Sequence, residues 1–233
     1  MASDSRSGAD ASGPDYAERT FCRLLLVSAV TGIAAPYLAA VVGQPMLIWW
    51  HKLVTTFGYF TNIANLAVAL LAAGRLYFPR QSWSIALNSP TSRTAIAVYI
   101  SMTGIVYHLL LAKHYEPQGV ARLSDLLTHT LTPLLYVAYW LRCARGGSMA
   151  LAHTVRIRYL PLLFLVYWLL RGALVGGYPY FFIDVDRYGY LQVLLNSAGL
   201  CGAAWLLGVL YWAISRFTAP VPIKSDTASL PER

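Results

Sequence analysis

The chain has 233 residues, of which 57% are hydrophobic and only 12% charged, and its formal net charge is +8. So apolar a composition leaves too little polar surface for an ordinary water-soluble fold and no length for a separate soluble domain. The basic residues lie in short loops between apolar runs, a pattern that orients membrane proteins and argues against a nucleic-acid partner.

In chain order, the first 20 residues are rich in Ser, Gly, Ala and Asp. They read as a disordered tail and lack the basic start of a signal peptide, so the first apolar run is expected to be a retained helix. Six apolar runs follow, at residues 21–42, 53–73, 94–112, 124–141, 159–175 and 190–214. Each is near the roughly 20 residues that one helical crossing requires. Turn-forming residues fall between them, as at Gly43-Gln44-Pro45, Gly74, Ser89-Pro90, Pro117-Gln118-Gly119, Gly146-Gly147 and Gly176-Gly177. The expectation is an all-α polytopic membrane protein: a tail over residues 1–20, six transmembrane helices over 21–214, and a second tail over 215–233.

Orientation follows from Lys and Arg, which accumulate in cytoplasmic loops. Thirteen of the 18 fall on the side of the termini, among them Arg19, Arg23, Arg75, Arg80, Arg93, Arg142, Arg156 and Arg158. The other side has Lys52, Lys113, Arg122, Arg171 and Arg187. Both termini are therefore expected in the cytoplasm. Trp49-Trp50, Trp83, Trp140 and Trp212 then fall near membrane interfaces, where amphipathic rings are favoured. Cys22, Cys143 and Cys201 show no disulfide or CxxC pattern.

With this orientation the intramembrane polar residues gather in the outer half. Counted along their helices, Thr61 lies about eight residues below the outer surface, Asn196 about six and His129 about five, with Arg171 and His108 about four from their outer helix ends. Intramembrane ionisable groups cost at least about 2.5 kcal/mol each at mid-span and so face a bundle interior or a wet cavity. An outward-opening polar pocket satisfies all five; the purely structural alternative is that each makes one interhelical hydrogen bond.

Gly58, Thr61 and Asn65 share one face of the second run, with Asn62 beside them. A structural role for Thr61 is a hydroxyl bonded back to the Phe57 carbonyl. On the fourth run Ser124 or Asp125 suits a helix N-cap, and Asp125 lies one turn from His129, where it can orient the imidazole. Pro133 brings no amide hydrogen, so it is expected to leave the His129 carbonyl open and to loosen the helix there. No HExxH or HxxxH pair is present, Asp184-Val185-Asp186 reads as a solvated loop, and neither metal nor cofactor is expected. The scarcity of buried Asp and Glu also argues against a proton-coupled or cation transporter.

Three segments carry a resemblance: Phe57-Gly58-Tyr59-Phe60-Thr61-Asn62-Ile63-Ala64-Asn65-Leu66, Leu127-Thr128-His129-Thr130-Leu131-Thr132-Pro133, and Gly177-Tyr178-Pro179-Tyr180-Phe181-Phe182-Ile183-Asp184. In this order they resemble the bacterial branch of the androgen-induced-gene-1 and FAR-17a type membrane proteins, over nearly the whole of residues 21–214. Animal members of that family are threonine hydrolases of fatty-acid esters of hydroxy fatty acids, using one intramembrane Thr and one intramembrane His. The resemblance implies those roles for Thr61 and His129, a lipid substrate drawn from the bilayer, and a location in a bacterial cytoplasmic membrane.

In that reading His129 takes the Thr61 proton during attack on an ester carbonyl, and Asn62, Asn65 or Asn196 donates to the oxyanion. His108 completes the substrate pocket. Arg171 either holds a lipid carboxylate or extends to outer headgroups. The alternative is a lipid-binding or transport protein in which the same polar pocket recognises an amphiphile without reacting with it.

Overall fold

The computed structural model describes residues 14–144 and 150–218, and all regular structure among them is helical. The tails expected over residues 1–20 and 215–233 lie largely outside the described residues; at residues 16–20 and 215–218 the chain is helical. α1 (Tyr16–Val41) starts ahead of its apolar run because the Asp15 carboxylate accepts the Glu18 amide at 2.7 Å and caps it.

The second apolar run does not form one helix. It is divided between α2 (Met46–Phe57), which buries no residue, and α3 (Phe60–Tyr77). Backbone groups freed at the break at Gly58 and Tyr59 are taken up by distant side chains, as buried polar groups must be. Trp168 Nε1 donates to the Gly58 carbonyl at 2.9 Å, the Phe60 amide donates to the Tyr180 hydroxyl at 2.9 Å, and Asn62 Nδ2 donates to the Thr56 carbonyl at 2.7 Å. A Cβ at Gly58 would stand 3.0 Å from the Trp168 ring. Thr61 is thereby moved from the middle of a run to the first turn of α3.

After the short α4 (Ser82–Leu87), Ser89 caps α5 (Pro90–Val106), whose helical path continues through a π turn (Tyr107–Leu111) and a 3-10 turn (Ala112–His114). The fourth run becomes a helical rod over residues 120–144: α6 (Val120–Leu126), a π turn (Leu127–Leu131), α7 (Thr132–Tyr139) and a second π turn (Trp140–Ala144). It starts at Val120 after Gly119, so neither Ser124 nor Asp125 is the N-cap that the sequence suggested. A 3-10 segment (Leu151–Arg158) leads into α8 (Tyr159–Val175); a 3-10 turn (Phe181–Ile183) precedes α9 (Val185–Thr218), which is broken at Gly189 with φ 73°.

Five helical stretches are long and apolar enough to cross a membrane: Tyr16–Val41, Phe60–Tyr77, Pro90–His114, Leu151–Val175 and Val185–Phe217. The rod at 120–144 packs among α1, α3 and α5 and supplies the largest enclosed side chains, Tyr136, Tyr139 and Trp140. Trp140, expected at an interface, is instead in the core with Nε1 donating to Thr94 Oγ1 at 3.3 Å.

Small and hydroxylated residues let α1 approach the rod closely, as membrane helices require when apolar burial alone drives nothing. The Ser28 and Thr132 hydroxyls are 2.7 Å apart, Ser124 Oγ donates to the Gly32 carbonyl at 2.6 Å, and a Cβ on Gly32 would stand 2.7 Å from Thr128 Cγ2. At the opposite end of the bundle from Thr61, Glu18 receives two 2.9 Å hydrogen bonds from Arg75 and one of 3.4 Å from Tyr139, with Arg93 at 3.6 Å. This carboxylate, which the sequence analysis left in the tail, joins α1, α3, α5 and the rod. The exterior is the reverse of a soluble protein's: Leu163 is 66% exposed, Leu174 82% and Leu191 74%. An apolar surface of that extent calls for a lipid solvent.

Candidate functional site

Thr61, in the first turn of α3, and His129, in the π turn of the rod, come together across a helix interface. Thr61 Oγ1 is 3.3 Å from His129 Nε2. Thr61 makes no bond back to the Phe57 carbonyl, because Phe57 belongs to the other side of the break and α3 starts at Phe60.

On the far side of the ring, His129 Nδ1 is 3.0 Å from Asp125 Oδ1, the i, i+4 contact that the sequence spacing anticipates. Among the described residues Asp125 Oδ1 meets no other donor, and Nδ1 is also 3.3 Å from Thr128 Oγ1. The Thr128 hydroxyl spends its own proton on the Ser124 carbonyl at 2.8 Å, so toward Nδ1 it acts as acceptor. Two acceptors around Nδ1 favour the tautomer with the proton there, which leaves Nε2 as a lone pair facing Thr61.

Tyr107, from the π turn that extends α5, fixes this unit twice. Its hydroxyl donates to Asp125 Oδ2 at 2.7 Å, and its ring stacks on the His129 ring with centroids 3.9 Å apart and 14° between planes. Both π turns beside the site therefore place a site residue, a recurrent use of this strained helical form.

Pro133 acts one residue away from where the sequence suggested. In the π register, marked by the Thr132 amide bonding to the Leu127 carbonyl, residue 133 faces the Thr128 carbonyl. Proline offers that carbonyl nothing, and Asn65 Nδ2 donates to it instead at 3.2 Å. The same Asn65 amide donates to the Thr61 carbonyl at 2.8 Å, so one fully buried side chain ties the Thr61 turn to the His129 turn.

The other expected site residues are placed differently. Asn62 lines the site, but its amide is held by Thr56. Asn196 Nδ2 donates to the Phe182 carbonyl at 2.9 Å and Asn196 Oδ1 accepts from Gln192 Nε2 at 2.9 Å, which anchors the 3-10 turn next to Tyr180 and keeps Asn196 out of the site. His108 is exposed and pairs with Thr130 Oγ1 at 3.1 Å. Arg171 lies 4.8 Å over the Trp168 ring and donates to the Gly176 carbonyl at 3.2 Å, closing its own helix end. Neither His108 nor Arg171 lines the site, because equal depth does not mean equal direction around the helix.

Two cavities meet at Thr61. The larger, about 810 Å³, is the more polar of the two and has Lys52, Asn62, His114, Ser124, Asp125 and His129 in its wall. That is within the roughly 300–1,000 Å³ typical of small-molecule sites. The smaller, about 120 Å³, is walled by Tyr99, Met102, Val106 and residues of α8 and α9. Thr61 and Tyr180 line both.

Tyr180, like Tyr107, is a site residue the sequence analysis passed over, although it lies in one of the three resembling segments. Its hydroxyl accepts the Phe60 amide and also meets the Thr61 amide and hydroxyl. The ring is partly exposed along the cavity walls while its hydroxyl is set deep; burial pushes that phenol up to about 12, so it keeps its proton at neutral pH.

The arrangement has a hydroxyl, an imidazole acceptor, a carboxylate behind it and a protonated phenol, all in one partly dry cleft. The apolar spans and lipid-facing exterior define a multi-pass membrane protein that carries a polar site among its helices. No protein-family model, curated protein or solved structure matches the chain.

Proposed function

We propose that the chain is a six-span membrane protein, both termini cytoplasmic, that hydrolyses carboxylic esters of lipids with Thr61 as nucleophile and His129 as base. The helical rod at 120–144 supplies the sixth span, and the excess of Lys and Arg on the side of the termini supports the orientation. The observation that carries the activity is the 3.3 Å approach of Thr61 Oγ1 to His129 Nε2 with Asp125 3.0 Å from Nδ1, a nucleophile, a base and an orienting acid in series. It agrees with the resemblance to the androgen-induced-gene-1 type hydrolases.

The steps follow from these positions. His129 Nε2 accepts the Thr61 proton as Oγ1 bonds to the ester carbonyl carbon. The imidazolium returns that proton to the departing alcohol oxygen as its C–O bond breaks, leaving an acyl group on Thr61. Water, deprotonated by His129, then bonds to the acyl carbon, and the imidazolium returns its proton to Thr61 Oγ1 as the Oγ1–acyl bond breaks, releasing the acid.

Charge on the carbonyl oxygen develops beside the amino-terminal turn of α3, whose dipole favours an anion there. Tyr180 is the donor for it. The Asn62, Asn65 and Asn196 amides are all committed to backbone carbonyls, whereas the Tyr180 hydroxyl, which accepts the Phe60 amide and lies at Thr61, has its own proton to give.

The test is hydrolysis of a lipid ester by purified protein in nanodiscs. Thr61→Ala and His129→Ala are each expected to lower turnover by about 10³-fold or more with the protein still folded. Turnover that survives both substitutions rejects the mechanism, and saturable lipid binding without turnover in the unmodified chain favours a binding protein.

A further inference from the structure

The small cavity has lining hydroxyls, yet it presents almost no free polarity. Thr103 Oγ1 donates to the Tyr99 carbonyl at 3.0 Å, Ser197 Oγ to the Val193 carbonyl at 2.7 Å, and the Tyr99 hydroxyl to the Ile157 carbonyl at 2.8 Å. Each hydroxyl is spent on backbone, so what faces the space is Met102, Val106, Phe164, Leu165, Leu200 and Cys201. The polar exception is one end, where Thr61 and Tyr180 form the boundary with the large cavity. An ester carbonyl placed at Thr61 thus has a dry apolar channel on one side and a polar chamber holding the base on the other.

Resting on the hydrolase reading above, we infer that the channel between α5, α8 and α9 is the acyl-chain site: the carbons of the fatty-acyl half nearest the carbonyl fill its about 120 Å³ toward Cys201, a longer chain continues beyond it, and the alcohol half leaves through the polar chamber. The chemistry of each wall decides the assignment. A hydrocarbon chain coming from the bilayer keeps an apolar surround in the channel and would lose it in the polar chamber. The departing alcohol must take a proton from His129, and the hydrolytic water must reach it, and both requirements are met only on the polar side. The site therefore selects its substrate by the acyl chain and tolerates variation in the alcohol.

Cys201 lines the channel as a free, half-buried thiol and reports on it. Two measurements on the full chain in nanodiscs test the inference. In the first, hydrolysis of p-nitrophenyl butyrate and p-nitrophenyl palmitate is compared in the unmodified chain and in Cys201→Trp, which fills the channel. The palmitate ester is expected to lose about tenfold or more in kcat/KM while the butyrate ester changes little, the discrimination typical of a filled hydrophobic pocket. Equal loss of both esters, or of neither, overturns the assignment.

In the second, alkylation of Cys201 by N-ethylmaleimide is followed by mass spectrometry with and without methyl palmitate. Protection by methyl palmitate and not by methyl butyrate is expected, and no protection overturns the acyl site. Protection in a protein that hydrolyses neither ester sinks the hydrolase reading and leaves the acyl site standing.

Discussion

Replacing Asp125 by Asn isolates the part of the site that acts through another residue. Asp125 Oδ1 is 3.0 Å from His129 Nδ1 and Oδ2 accepts the Tyr107 hydroxyl at 2.7 Å. An imidazolium formed at that distance from a carboxylate gains about 5.5 kcal/mol at an effective dielectric of about 20, before any cost of desolvation. That sets a ceiling near 10⁴-fold in rate, and partial solvation of the pair brings the expected loss to about 10²–10⁴-fold. Asn keeps the shape, but its amide turned toward Nδ1 supplies a donor where an acceptor is needed, which favours the tautomer protonated on Nε2. The assay is the rate of Thr61 phosphonylation by a fluorophosphonate as a function of probe concentration. The maximal rate is expected to fall while the half-saturating concentration holds, a split that general misfolding does not produce. A maximal rate within about twofold of the unmodified chain refutes Asp125 as the residue that positions the base.

Two further outcomes follow. Tyr180→Phe removes the hydroxyl proposed as the oxyanion donor beside Thr61 and is expected to lower ester turnover by about 10²–10³-fold, with the chain still folded by circular dichroism and thermal unfolding. Retained turnover would rule out Tyr180 as the oxyanion donor. Glu18→Ala leaves the Arg75 guanidinium without its carboxylate at the far end of the bundle and is expected to cost about 3–5 kcal/mol, read as a lowered unfolding midpoint in detergent. Because Glu18 is remote from Thr61, folded Glu18→Ala protein should keep its turnover.

The placement of most helices along the chain was legible in the sequence, and the direction each residue takes around its helix was not. Apolar runs and their breakers place most helices because length and hydropathy are what the bilayer selects. Asp125 and His129 were legible as a pair because i, i+4 spacing fixes both height and direction on one helix. Arg171, His108 and Asn196, counted to nearly the depth of His129 along their helices, face elsewhere. In lipid both faces of a helix are apolar, so no hydrophobic stripe marks which one points inward.

The division of the second run at Gly58 and Tyr59 was hidden for a different reason. No proline or charge marks it, and it is held by Trp168, Tyr180 and Asn62 from outside the segment or across the break. Tyr107 and Tyr180 were hidden because an aromatic residue near a membrane interface reads as an anchor until its hydroxyl is seen to have a partner. Glu18 was assigned to a tail by the composition around it, although Arg75 and Arg93 lie well away in sequence and near it in the fold.

The claim on which the account rests is that His129 activates Thr61. It is tested most directly by treating membranes that contain the protein with a fluorophosphonate and locating the adduct by mass spectrometry, in the unmodified chain and in His129→Ala. The account predicts an adduct on Thr61 that disappears when His129 is replaced. Absence of an adduct from the unmodified chain, while a serine hydrolase in the same membranes labels normally, would contradict it.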